Sequence, residues 1–547
     1  MNPSWDTLER GRQARLERAA PWAKGREVAA SDIADLLHAL LEPGDKVCLE
    51  GNNQKQADFL ALALANLDPA RVHDLHMVQS VLSLPAHLDV FERGIASKLD
   101  FSFSGPQSVR LANLVAEGRI QIGAIHTYLE LFGRYFIDLT PRVALVAAQA
   151  ADRHGNLYTG PNTEDTPVIV EATAFGGGIV IAQVNEIVDT LPRVDIPADW
   201  VNFVVQAPRP NHIEPLFTRD PAQISEIQVL MAMMAIKGIY AEYGVNRLNH
   251  GIGFDTAAIE LLLPTYAESL GLKGKICQHW ALNPHPALIP AIESGFVKSV
   301  HSFGSELGME KYIAARGDVF FTGADGSMRS NRAFSQTAGL YACDMFIGST
   351  LQIDLQGNSS TATRDRIAGF GGAPNMGSDA RGRRHASDAW LKAGQQAARP
   401  GDMPRGRKLV VQMVETFREH MASAFVDRLD AWELAERAAM PLPPVMIYGD
   451  DVSHVLTEEG IANLLLCRTP EEREQAIRGV AGYTAVGLGR DRAMVENLRD
   501  RGVIQRPDDL GINVRDASRD LLAARSVKDL VRWSGGLYDP PKRFRNW

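Results

Sequence analysis

Little in this chain of 547 residues announces a familiar chemistry. It has no Gly-x-x-x-x-Gly-Lys-Ser/Thr loop, which removes the usual sequence support for nucleotide triphosphate hydrolysis. The dinucleotide fingerprint also fails, because Gly251-Ile-Gly253 is followed three residues on by Thr256, and Gly369-Phe-Gly371 by Pro374. His-Glu-x-x-His and Gly-x-Ser-x-Gly are missing. The four cysteines, Cys48, Cys277, Cys343 and Cys467, are far apart and form no Cys-x-x-Cys pair, so neither a zinc site nor a disulfide framework is expected. Isolated cysteines suit a reducing cytosol. The net charge of -9 is spread without an acidic or basic block, which argues against nucleic acid and membrane surfaces as main partners. Residues 1–28 are rich in Arg and Glu and contain no apolar core, so no signal peptide is expected. The apolar run Val229 to Ile236 is far short of the roughly 20 residues of a membrane helix. These absences describe a cytoplasmic protein whose chemistry runs without ATP, metal or a serine nucleophile.

What is present is ordinary globular composition, 45% apolar and 22% charged, in a chain too long for one core. Apolar runs alternate with helical patterns, the mark of α/β architecture with mainly parallel sheets. Strands are expected at 45–49, 143–148, 168–170, 179–182 and 203–205, then at 319–321, 345–347, 351–355 and 445–447. A helix is expected from Gln56 to Leu67, and Gly251-Ile-Gly253 opens another. The polar, proline-rich stretch Pro208 to Pro215 reads as a linker. It divides the chain into two α/β domains, 1–215 and 216–547, with a site between them. Residues 379–407, rich in Arg, Gly and Pro, read as an exposed basic excursion, and the tail from Leu537 to Trp547 as irregular.

The densest local signal is Leu355-Gln-Gly-Asn-Ser-Ser-Thr-Ala-Thr363 running into Ile367-Ala-Gly-Phe-Gly-Gly-Ala-Pro-Asn-Met-Gly377. Glycines 369, 371, 372 and 377 permit positive φ values and close backbone approach to something bound. Successive N–H groups in such a loop cradle a phosphate or an oxyanion. The plain alternative is a tight surface turn. Ala151-Asp-Arg-His-Gly-Asn-Leu157 is a second loop, directly after an apolar strand, where α/β proteins place ligands; a simple hairpin accounts for it equally well.

Read together, several stretches stand in the order seen in the coenzyme A transferase superfamily. They are Ala151 to Leu157, Ile181-Ala-Gln-Val-Asn185, Val194-Asp-Ile-Pro197 leading to Val204-Val-Gln-Ala-Pro208, Asn249-His-Gly-Ile-Gly253, Ile353-Asp-Leu-Gln-Gly357, Gly369-Phe-Gly-Gly372 and Thr457-Glu-Glu-Gly-Ile-Ala462. Within it, Trp280-Ala-Leu-Asn-Pro-His-Pro286 and Gly382-Arg-Arg-His-Ala-Ser-Asp-Ala-Trp390 resemble the malonate decarboxylase α-subunit family. The resemblance implies two α/β domains with the active site at their interface. It implies exchange of acetyl for malonyl on the thioester arm of an acyl carrier protein, with malonate consumed and acetate released. The cofactor would be a phosphoribosyl-dephospho-CoA arm brought by the carrier, with nothing bound tightly by this chain and no metal. Decarboxylase subunits would be further partners. A conventional coenzyme A transferase, a citrate lyase α-like transferase and a scaffold that only docks other subunits are the alternatives.

The sequence departs from the superfamily where many members place a nucleophilic glutamate. Counting back from Glu293-Ser-Gly295 reaches Leu282 or Asn283, and neither can serve. Glu260, Glu293 and Glu306 are possible substitutes, each more simply read as an exposed helix carboxylate. Direct attack by a malonate carboxylate on the thioester is therefore expected, with N–H groups of Gly369, Phe370, Gly371 and Gly372, and Asn358, as the catalytic set. Arg364, Arg366, Asn283, His285 and Asn375 are expected to bind substrate. Gly251, Gly253, Asn52, Gln54 and His154 are expected to line the path of the carrier arm, with His250 beside them.

Overall fold

The computed structural model describes residues 5–52, 55–302, 304–323, 332–384 and 386–547. The apolar runs assemble into two large sheets. The first contains β1 (Glu27–Val28), β2 (Lys46–Leu49), β3 (Leu75–Val81), β4 (Ala96–Phe103), β5 (Gln121–Ile125), β6 (Val143–Asp152), β7 (Leu157–Tyr158), β8 (Ile179–Val188) and β9 (Phe203–Gln206). Its order is β1-β9-β8-β6-β2-β3-β4-β5, with β7 off β6. The second contains β10 (Arg247–His250), β11 (His279–Leu282), β12 (Ser299–Ser302), β13 (Met345–Ser349), β16 (Leu409–Met413), β17 (His454–Thr457), β18 (Gly460–Asn463) and β19 (Ile504–Gln505), in the order β12-β11-β10-β13-β16-β17-β18-β19. A small hairpin of β14 (Gln352–Ile353) and β15 (Ser359–Ser360) stands apart. Pairing is parallel except for β6–β7 in the first sheet and β17–β18–β19 in the second.

Parallel sheets covered on both faces need apolar side chains on both. Along β2, Val47 and Leu49 face one cluster and Cys48 the other; along β13, Phe346 and its neighbours Met345 and Ile347 divide in the same way. One cluster contains Leu49 and Phe101 from the first sheet together with Phe346 and Val410 from the second. The halves therefore share a hydrophobic layer, and the expected boundary at 215–216 lies in the segment between β9 and β10.

Three expectations change. Residues 168–170 belong to a helix, Thr166–Phe175, because the chain must cross from β6 to its parallel neighbour β8 and Pro167 fits a first helical turn. Residues 319–321 and 445–447 supply only isolated bridges, at Phe320 and Ile447. The stretch 379–407 is exposed only in part: residues 398–405 are exposed, but it also contains the helix Asp388–Ala397, and buried Arg383 pairs with Asp344 at 3.0 Å and lies over Trp390. The tail docks, with Tyr538 buried and the Asp539 N–H donating to the Gly308 carbonyl.

Candidate active site

In the second sheet the chain runs outward from β10 through β11 to β12, then returns to β13 on the other side of β10. Such a reversal leaves a crevice at the carboxyl ends of the strands. Here it opens into a cavity of about 420 Å³. Asn249 and His250 at the end of β10 with Gly251 and Ile252 after it, Asn283 after β11, and Gly348 and Ser349 at the end of β13 form its floor. Phe103, Gly105, Pro106 and Tyr128 close it from the first half, and Leu216, Phe217 and Arg219 from the joining segment. The glycine loop, 368–373, forms the remaining wall.

The loop is stitched to the end of β4. Phe370 and Gly371 N–H groups both donate to the Ser102 carbonyl, at 2.6 and 2.9 Å, the Ser104 N–H donates to Ala368, and Tyr128 N–H to Gly371. Gly369 has φ +76, and a Cβ there would sit 2.4 Å from the Ser102 oxygen. This corrects the expected catalytic set. The N–H groups of Phe370 and Gly371 are committed to joining the two halves, and among the described residues the loop N–H groups left without an acceptor are those of Gly369 and Gly372.

Beneath the floor lies a buried chain of ionisable groups. Glu260, fully buried rather than exposed, is bonded to His250 Nδ1 at 2.9 Å and to His285 Nε2 at 2.6 Å. His285 Nδ1 meets the Asn283 carbonyl at 2.9 Å. Both neighbours of His285 are acceptors, so both ring nitrogens must carry protons and the ring is an imidazolium. Burial opposes that charge, but Glu260 outweighs it and raises the pKa of His285. Burial would also raise Glu260, yet His285 and His250 bring it down to about 2. His250 takes its other bond from Tyr240, is lowered by burial, and is neutral. Glu306 is likewise buried, accepting from the Phe217 N–H at 2.8 Å and the Thr218 hydroxyl at 3.2 Å. Burial pushes it up to about 7. Glu293 alone matches its reading as a surface carboxylate, paired with Arg316.

Of the expected substrate binders, Asn283 lines the cavity and its Oδ1 has no partner among the described residues. His285 is not among the lining residues and lies behind Asn283, bonded to its carbonyl. Asn375 is buried against Gln336, which lines the cavity, and Thr127. Arg364 and Arg366 are not among its lining residues: they pair with carboxylates elsewhere, Arg364 with Asp430 and Glu433 and Arg366 with Glu419. Asn358 is also outside, closing a turn with Asp354 at 2.9 Å and accepting from Gly449. Gly251 lines the floor and Gly253 precedes the helix Phe254–Leu262. His154 is exposed on the turn after β6. Asn52 is buried in the first sheet, where its amide bonds Asp165, and Gln54 lies outside the described residues. Sequence reasoning missed Arg219, Tyr128 and Gln336. Arg219 was hidden by its proline-rich surroundings, and no local pattern distinguishes the other two.

A family described as malonate decarboxylase, alpha subunit, transporter matches residues 4–547. The chain belongs to the malonate decarboxylase α-subunit family. Within that family it is 63% identical over 548 residues to the acetyl-S-ACP:malonate ACP transferase of Malonomonas rubra, covering 99% of each chain. It resembles a chain of the Pseudomonas malonate decarboxylase hetero-tetramer solved in complex with malonate, with TM-score 0.96, 62% identity and 100% of both chains covered. An acyl-CoA transferase from Escherichia coli O157:H7 shares only the fold, at TM-score 0.52 and 14% identity over 81% of this chain and 89% of that one. Malonate decarboxylase α subunits thus have a coenzyme A transferase-like architecture, and in this member the interface cavity is lined by no carboxylate or thiol among its described residues.

Proposed function

We propose that this chain is the acyl-carrier-protein transferase of a malonate decarboxylase, replacing acetyl by malonyl on a carrier's thioester arm and releasing acetate. Its high identity to a protein of that name supports the reaction class. The observation that carries the mechanism is the cavity wall itself, which among its described residues offers a thioester no enzymic carboxylate or thiol to attack it. Both Glu260 oxygens are engaged beneath the floor, Glu306 lies behind the wall, and Glu293 is on the surface. The nucleophile is then the substrate.

One malonate carboxylate attacks the acetyl thioester carbonyl and expels the carrier thiolate, leaving a mixed acetyl-malonyl anhydride. The thiolate attacks the malonyl carbonyl of that anhydride, and acetate departs. One thioester replaces another, so no energy input is needed. Confinement of both reactants in one cavity stands in for covalent catalysis. The Gly369 and Gly372 N–H groups are the loop donors without an acceptor of their own, and one of them would serve each tetrahedral oxyanion. The thioester arm is a phosphoribosyl-dephospho-CoA group supplied by the carrier. Decarboxylase subunits would act on the malonyl carrier downstream, in the cytoplasm. Among the described residues no helix is long and apolar enough to cross a membrane.

Purified chain, acetylated carrier and labelled malonate, with no other subunit, test the proposal. Labelled malonyl carrier and free acetate are expected in equal amounts. Failure of both to form overturns the reading. Trapping of an acyl-enzyme by hydroxylamine in an active preparation overturns direct attack and restores a glutamyl intermediate.

A further inference from the structure

The cavity holds several hydrogen-bonding side chains but a single permanent cation: Arg219 is the only Arg or Lys among its described lining residues. It sits where the segment between the two sheets passes the cavity, and this segment is pinned from behind by Glu306, which holds the main chain at Phe217 and the hydroxyl of Thr218. Arg219 Nη1 donates to the carbonyls of Leu216 at 2.7 Å and Thr218 at 3.3 Å. One edge of the guanidinium is thereby fixed on its own backbone. Nε and Nη2 have no partner among the described residues, and no carboxylate there stands within ion-pairing distance. The group lies over the Phe254 ring, 5.6 Å from its centre. Burial lowers its pKa, opposed by the more distant charge of Glu306, so a carboxylate entering the cavity would relieve an under-compensated cation. Asn283, with an amide oxygen also lacking a partner, faces the same space.

The proposed exchange poses a selection problem that such a group solves. Malonate and acetate present the same reacting carboxylate, and they differ only in the second one. A site that recognised the reacting end alone would take acetate back as readily as it takes malonate. We infer that Arg219 is the subsite for the carboxylate that does not react, and that this contact selects a dicarboxylate acceptor over a monocarboxylate. The inference rests on the transferase reading above. A guanidinium with two free N–H groups at one edge suits a carboxylate better than an ammonium does, because the fork is planar and already oriented. Acetate, lacking the second carboxylate, cannot use the subsite and leaves.

Two exchange assays on the purified chain with acetylated carrier separate the possibilities: entry of labelled malonate, and entry of labelled acetate. Arg219→Met is expected to raise the malonate KM by about 10- to 100-fold, the usual worth of a charge-assisted hydrogen bond. The acetate KM should move far less, so that the preference for malonate collapses. Arg219→Lys should fall between, keeping the charge and losing the fork. Arg364→Met, outside the cavity, should alter neither constant. A second measurement needs no turnover: malonate should raise the melting temperature of the wild type but not of Arg219→Met, and acetate should shift neither. Equal rises for both acids, or no rise for malonate in either variant, would overturn the inference while leaving the transferase reading intact. A wild type that exchanges neither acid removes the transferase reading, and the subsite with it. Should Arg219→Met fail to fold, Arg219→Lys and the malonate-induced shift carry the test.

Discussion

Each sheet reverses its strand order once, and the two crevices have opposite fates. In the second half the crevice between β10 and β13 is the cavity. In the first half the equivalent place, between β2 and β6, holds buried ions of the chain's own. Glu50 and Asp165 are buried there around Asn52, which donates to Asp165 at 2.6 Å and to Glu50 at 3.3 Å. Lys55 Nζ stands 3.5 Å from Glu50, the Ala147 N–H donates to the same carboxylate, and Ser80 and Thr166 add hydroxyls. Nearby, the buried Glu164–Arg332 pair backs Tyr128, with the guanidinium 4.6 Å from the ring centre. The same architecture thus closes one crevice with its own ions and leaves the other for a ligand's. In the filled crevice the cation has its carboxylate; in the open one Arg219 waits for it.

The largest expected effect comes from breaking the filled side. Lys55→Met leaves Glu50 buried without its cation, and burial already raises the pKa of that carboxyl against the pull of Lys55. Removing one member of a buried pair costs about 3–5 kcal/mol, whereas replacing both with apolar groups of similar size is often neutral. Urea unfolding should show a large loss for Lys55→Met and substantial recovery in the double variant Glu50→Leu/Lys55→Met. A loss within about 0.5 kcal/mol, as for an ordinary surface change, would mean the first crevice is not held by its ions.

Next comes the seam between the halves. Gly369→Ala puts a Cβ against the Ser102 oxygen in a backbone region that L-residues avoid. The bonds from Phe370 and Gly371 to Ser102 should weaken with it. Together these predict a loss of about 2–4 kcal/mol, with a fall in malonate exchange by the folded fraction. Gly371→Val is milder sterically, since its Cβ would meet Tyr128 at 3.6 Å, although φ +57 still strains it. Equal stability of wild type and Gly369→Ala would disconnect the loop from the seam.

How much of this was legible follows from what local sequence can encode. The run 143–148, the first part of the strand Val143–Asp152, declares itself because a parallel strand covered on both faces is apolar. The glycine loop declares itself because positive φ at Gly369 and Gly371 demands glycine. Its role was misread, since the partner of its N–H groups, Ser102, is more than 260 residues away in the chain. Arg219 shows the same limit. Beside prolines it looks like a solvated linker charge, and only the assembled halves turn it toward a cavity. Arg364 and Arg366 are the converse: adjacency to the loop in sequence suggested a site that nearby surface carboxylates already occupy. Glu260 and Glu306 looked like surface carboxylates because a helix pattern does not reveal which face a second sheet will cover.

The smallest predicted effect sharpens the comparison most, because it asks whether the open side is built to tolerate an uncompensated charge. Glu306 is raised from 4.5 to about 7 by burial, against the bonds from Phe217 and Thr218 and the charges of Arg219 and His285. Tyr538 of the docked tail also faces it. A raised acid favours the protonated folded state, so its contribution to stability is complete below its unfolded pKa and is lost as pH rises through about 7. In Glu306→Gln the amide oxygen still accepts from the Phe217 N–H, and nothing titrates. The wild type should therefore lose on the order of 1 kcal/mol relative to Glu306→Gln between about pH 5 and 8. Above pH 7 the ionised carboxylate also offsets part of the Arg219 charge from a distance, so the malonate KM should climb with pH in the wild type and climb less in the variant. Parallel stability and KM profiles for the two proteins would mean that Glu306 holds the segment mechanically, and that its charge has no part in distinguishing the open crevice from the filled one.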